Sequence, residues 1–291
     1  MKYKPEQEKE LMTSIWSMNI KDDPLNFVRF VFPWGEKDTP LEHFSGPRKW
    51  QEKILREIST HIQRNQVVDV PEMFRLAVAS GRGIGKSALV SWLILWMLST
   101  RLGATIIVTA NTEQQLRSRT WAELGKWLTL SIHSHWFTKT ATTIKPAPWF
   151  EEALIRDLKI DTGYYYAQAQ LWSEENPDAF AGIHSSYGVC LIMDEASGIP
   201  APYTQFPKGS SQNPPQTAFG LHSPTRAETQ GHSTIPSTPS APIGKPNKST
   251  RAQSKAQTKL SFKRCLSSMA KIPQSRAWRS WASFLAQTMT Q

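Results

Sequence analysis

Cysteine is nearly missing: only Cys190 and Cys265 occur in 291 residues. Neither a disulfide framework nor a Cys/His metal spacing can be built from them, and a reducing cytosol fits. Long apolar runs are missing too. The longest, LVSWLILWML at 89–98, falls well short of the roughly 18 residues that mark a membrane span, and reads as a buried helix. The opening MKYKPEQEKE is polar where a signal peptide needs an apolar stretch. Aspartate is absent after Ala201, so the last part of the chain holds no clustered-aspartate metal site.

Acids of any kind are scarce there. Residues 203–291 carry twelve Lys/Arg against Glu228 alone, whereas residues 1–202 hold 22 basic and 23 acidic residues. The formal net charge of +10 therefore sits in the last 89 residues and says nothing about partners of the front part. Nine of the 20 prolines and 24 Ser/Thr fall in the same stretch, the composition of a low-order basic tail rather than of a packed domain.

What is present in the front part is a regular alternation. Residues 5–19 can form a short amphipathic helix, and DPLNFVRFVFPWG brings aromatics before a proline stop, as a packed N-terminal appendage over 1–45 would. Trp50, Ile54, Leu55, Ile58 and Ile62 share one face of a helix over 47–64. MFRLAVAS at 73–80, ATIIVTAN at 104–111 and YGVCLIMDEAS at 187–197 read as buried strands. Helices are expected over Lys86–Thr100 and 112–132, and short strands over 150–172 with DTGYYY as a turn. Apolar strands interleaved with helices predict an α/β fold with a parallel sheet covered on both faces.

The first strand runs into SGRGIGKS at 80–87. Glycines let successive backbone N–H groups turn toward one anion, and a helix N-terminus adds partial positive charge, so this is the pattern of a phosphate cradle. Ser80, Gly81, Arg82, Gly83, Ile84 and Gly85 form the loop. Lys86 would reach the β and γ phosphates of ATP, and the Ser87 hydroxyl would ligate Mg²⁺. The usual pattern has glycine five residues before Gly85, where this chain has Ser80, so the loop is a deviant form. The strand CLIMDEAS carries Asp194 and Glu195 to the sheet edge, Asp194 to hold Mg²⁺ through water and Glu195 to orient and deprotonate the attacking water. Arg82 reads as a charge stabiliser of the γ phosphate or as a solvated loop arginine. Trp50 and Gln51 are placed as adenine-reading residues would be, or as a core tryptophan with an exposed neighbour. His133, His135 and His184 show no ligand spacing and read as packing or loop residues.

Taken in order, GPRKWQ at 46–51, SGRGIGKS at 80–87, VTANTEQQ at 108–115, SEENPDAFAGIH at 173–184 and LIMDEAS at 191–197 resemble the large terminase subunit of tailed bacteriophages over roughly residues 25–202. The resemblance implies a P-loop NTPase of the ASCE, RecA-like kind, using ATP and Mg²⁺ to drive double-stranded phage DNA into a capsid in the host bacterial cytoplasm. It implies a terminase small subunit, a portal protein and a homo-oligomeric ring as partners, and no membrane. Another DNA-translocating or helicase-like P-loop ATPase, or an inactive prophage remnant, are the other readings.

The family continues into a coupling motif and an RNase H-like nuclease domain, and neither is visible after residue 202. Rebuilt one base out of register from Pro202 on, with only degenerate bases chosen, the tail can encode four stretches in one constant frame that resemble that continuation. A shift of reading frame near Pro200–Pro202 is the expectation, with a genuine disordered tail as the alternative. The domains expected are then 1–45, an incomplete ATPase domain over 46–202, and a tail over 203–291 that adds no stable domain and leaves the sheet without its later strands.

Overall fold

Proline and aspartate set where the first helices begin. In the computed structural model, which describes residues 3–67, 74–78, 83–110, 112–171, 187–194 and the backbone of 218–222, α1 (Pro5–Ile15) starts on a proline at its first position. After α2 (Met18–Lys21), the Asp23 side chain accepts from the N–H groups of Leu25 and Asn26 at 2.9 and 3.1 Å and opens α3 (Pro24–Val31). α4 (Lys49–Asn65) buries Ile54, Leu55, Ile58 and Ile62, as its spacing predicts.

β1 (Phe74–Ala77) then leads to α5 (Lys86–Thr100), which matches its expected span. Every residue from Leu89 to Thr100 in α5 is buried, and its Ser91, Ser99 and Thr100 hydroxyls donate to carbonyls four residues back. A helix apolar all round belongs in a core. β2 (Thr105–Ala110) follows. The next helix has three parts: α6 (Glu113–Gln115), a π-helical stretch Leu116–Trp121, and α7 (Ala122–Leu130).

A short 3₁₀ turn at Ser134–Trp136 enters a hairpin of β3 (Phe137–Lys139) and β4 (Thr143–Pro146), then α8 (Pro148–Leu158) and β5 (Tyr166–Ala169). Short strands were expected through 150–172, but among the described residues there only Tyr166–Ala169 is one. Pro148 at the first helical position, Glu151 in the first turn, and Phe150, Ala153 and Leu154 on one buried face favour a helix before it.

β6 (Val189–Asp194) and β7 (Ala218–His222) complete a seven-stranded sheet in the order β1-β7-β6-β2-β5-β4-β3. The first five run parallel, and β4 and β3 add an antiparallel edge. The expectation that nothing beyond residue 202 joins the sheet fails at 218–222. A slot lies between β1 and β6, and β7 fills it by pairing with both.

Ile106, Val108 and Ala110 of β2 and Cys190 and Ile192 of β6 face one continuous core; Ile107, Leu191 and Met193, which point the other way, are buried outside it. Met12, Ile15, Phe27, Val28 and Val31 belong to the same core, so the N-terminal helices pack into the main body rather than beside it. Among the described residues, the buried apolar side chains of α1–α5, α7 and α8 all belong to this core.

Candidate functional site

Parallel strands release the chain at a common edge, and ligands of such sheets sit outside those carboxyl ends. β1 and β6 are parallel through β7, with Ala77 opposite His222 and Ile192 opposite Leu221. One further step along β6 sets Met193 level with Ala77, and Asp194 level with Val78. Two strand spacings of about 4.8 Å put Val78, directly after β1, and Asp194 roughly 10 Å apart across the sheet.

The described part of the loop is shaped by two left-handed residues, Gly83 at φ 74° and Gly85 at φ 93°, a conformation that side chains disfavour. Lys86 and Ser87 open α5 immediately after. The first turn of α4 grips the loop from behind. Arg48 donates from its guanidinium to the Ile84 carbonyl at 3.0 Å, and Gln51 Nε2 donates to the Gly85 carbonyl at 2.8 Å. Gln51 Oε1 in turn accepts the Arg48 N–H at 2.9 Å.

These bonds aim the loop. In a trans peptide the N–H points opposite the C=O of the preceding residue. Carbonyls of Ile84 and Gly85 tied back to α4 therefore turn the amides of Gly85 and Lys86 away from it. Preset donors at a helix N-terminus suit an anion without rearrangement.

Gln51 is buried and partnered at both ends of its amide, while Trp50 is half-buried against the core with its indole N–H shielded and without an acceptor. Ser80, Gly81, Arg82 and Glu195 lie outside the described residues, as does His184. His133 and His135 are packing residues: His133 bonds Ser99 at 2.7 Å, and His135 donates to the buried Glu8 at 2.7 Å.

Two residues matter here without a role expected for them. Arg48 stands inside GPRKWQ, but its target is set by the loop 36 residues on. Thr120 donates from Oγ1 to Asp194 Oδ2 at 2.5 Å. Its signal in the sequence is faint: a hydroxyl between Leu116 and Leu124 on a stripe that is otherwise apolar.

No group of three or more His, Cys, Asp or Glu among the described residues could hold a metal ion. Burial pushes the Cys190 thiol up to about 12, which leaves it unreactive at neutral pH. No helix among the described residues is long and apolar enough to cross a membrane.

No family model and no curated protein matches the chain. Among solved structures it is similar to the crystal structure of the HK97 bacteriophage large terminase, at 14% identity and a TM-score of 0.41. The match covers 70% of this chain and 38% of that one, so the chain spans well under half of that protein's length. A likeness this distant establishes neither family nor function.

Proposed function

We propose that this chain is the ATP-hydrolysing motor domain of a large terminase of tailed bacteriophages, which drives double-stranded DNA into the capsid. One observation carries the reading: a loop with two left-handed glycines ends at the start of α5, on the sheet edge to which β6 brings Asp194. The motif order GPRKWQ, SGRGIGKS, VTANTEQQ and LIMDEAS along the sequence supports it.

In this proposal the amides near Gly83–Ser87 surround the phosphates and Lys86 reaches the β and γ groups. Ser87 and Asp194 offer oxygen donors, the kind that suits a hard cation retaining several waters. Mg²⁺, when bound, would neutralise charge on the β and γ phosphates. Glu195 would orient and deprotonate the attacking water, and Arg82 would stabilise the charge that develops. Trp50 and the second Nε2 hydrogen of Gln51 are the adenine contacts. DNA, a small subunit, a portal and a ring of copies are partners of the intact motor in the host cytoplasm.

Lys86→Ala is expected to abolish ATP binding, and Glu195→Gln to retain binding while stopping turnover, both read by equilibrium binding and phosphate release. Binding unchanged in Lys86→Ala would remove the cradle. Turnover unchanged in Glu195→Gln would remove that residue from its role. A helicase-like motor is the second reading, and DNA-stimulated strand separation would favour it.

The aspartate-free tail supports a shifted reading frame near Pro200–Pro202, and with it a defective fragment or prophage remnant. Gene sequence around codons 198–204 decides this: a downstream frame that does not encode a terminase-like continuation overturns the shift.

A further inference from the structure

Helical hydroxyls in this protein mostly turn back on their own helix. Thr13, Ser14, Thr60, Ser91, Ser99, Thr100, Ser118 and Thr129 each donate to the carbonyl four residues earlier. Thr120 does not: it is 1% exposed, and its hydroxyl goes to the Asp194 carboxylate across 74 residues of sequence. It does so from Leu116–Trp121, the π-helical stretch between α6 and α7.

A π-helical turn holds about one residue more than an α turn, which rotates the following side chains by roughly 100°. Such turns are rare and concentrate at functional sites. Here the rotation leaves Leu116, Thr120 and Trp121 buried, with Thr120 the polar member of the three. A buried hydroxyl needs an acceptor, and this one takes a carboxylate at the sheet edge in place of the local carbonyl.

We propose that Thr120 is a positioning residue for the cation of this site, holding Asp194 in the one rotamer that presents its carboxylate to a divalent metal beside the phosphate loop. The inference rests on the ATPase reading above and deepens it. The hydroxyl donates and occupies one lone pair of Oδ2, which leaves the remaining acceptor sites of the carboxylate for metal-bound water. Outer-shell partners of this kind typically change metal affinity by about 10–100-fold. Through the same bond, the helix that starts after β2 is mechanically tied to the metal-holding edge.

Mn²⁺ is the probe. The full chain is loaded with ADP and titrated with Mn²⁺ by electron paramagnetic resonance, and ADP affinity is measured separately in EDTA. Thr120→Val is expected to weaken Mn²⁺ binding about tenfold while ADP affinity in EDTA stays as in the parent. Thr120→Ser, which keeps the hydroxyl, restores Mn²⁺ binding. In an Asp194→Asn background, Thr120→Val adds no further loss, because coupled residues are not additive.

Unchanged Mn²⁺ affinity in Thr120→Val overturns the inference alone. Should Thr120→Val fail to fold, Thr120→Ser decides: a serine variant that loses metal affinity while folding normally shows that packing, not the hydroxyl, matters, and overturns the inference. A parent chain that binds no ADP, with Lys86→Ala indistinguishable from it, overturns the ATPase reading and this inference together.

Discussion

Around Trp136, rings from distant parts of the chain close on one another. Its ring centroid lies 6.0 Å from Trp16, 5.3 Å from His133 and 5.2 Å from Phe150, and its indole N–H donates to the buried Glu8 carboxylate. A second group, Phe32, Trp34, Trp92 and Trp127, meets at 4.9–6.4 Å. Around Asp194 and Gly85, the chain instead presents left-handed backbone and single hydrogen bonds from Arg48, Gln51 and Thr120. The aromatic seam ties the N-terminal helices to α5, α7 and the hairpin through large buried surfaces, which resist change. The sheet edge is held by a few directional bonds that fix geometry and contribute little burial. Burial is concentrated in one region and directional bonding in the other, so substitutions should separate the two.

Acid is the strongest lever on the seam. His133 is fully buried among Phe27, Trp136 and Phe137, with Nε2 on Ser99 and Nδ1 without a partner. Burial, reinforced by the nearby His135, pulls its pKa down to about 3. The folded state therefore keeps the ring neutral while the unfolded chain takes a proton below about 6.5. Stability contributed by the neutral ring is fully present above pH 6.5 and is lost as pH falls toward about 3, at up to roughly 1.4 kcal/mol per pH unit. Urea unfolding between pH 7 and 4 should show this slope in the parent and a shallower one in His133→Gln. Parallel curves would mean that the seam admits a charged ring, and the contrast with the edge would weaken.

Legibility in the sequence follows the same division. α5 could be read to the residue because SGRGIGKS punctuates its start and an unbroken apolar run follows. Asp194 was legible for the same reason, as the acid that ends an apolar strand. The packing role of His133 and His135 followed from the lack of any ligand spacing. What could not be read depends on partners far along the chain. Thr120 looks like any helical threonine until β6 brings Asp194 beside it. The hairpin strands β3 and β4, three and four residues long, are too short to show alternation. In α8, aromatic residues near a run of tyrosines imitate strand composition, and the helix is decided by Pro148 and the packing of Phe150 and Leu154. AFGLH at 218–222 lies in a Ser/Pro-rich stretch and is ordered by the slot between β1 and β6, not by its own pattern.

Gly85→Ala sharpens the comparison from the other side, with the smallest effect on stability. Gly85 sits at φ +93°, and an added Cβ would lie 3.0 Å from Gln51 Nε2. Alanine in that conformation costs about 1–2 kcal/mol, and the contact falls on the end of a side chain that can shift a few tenths of an ångström. Relief of either strain moves the same atoms: the Gln51 amide leaves the Gly85 carbonyl, and the peptide that aims the Lys86 N–H rotates. Chemical denaturation of Gly85→Ala should therefore show a loss of about 1–2 kcal/mol, while its affinity for ATP falls by tenfold or more. An alanine variant that loses the stability yet binds ATP as the parent does would show that these amides do not face the phosphates, and the division between a rigid seam and a preset edge would have to be redrawn.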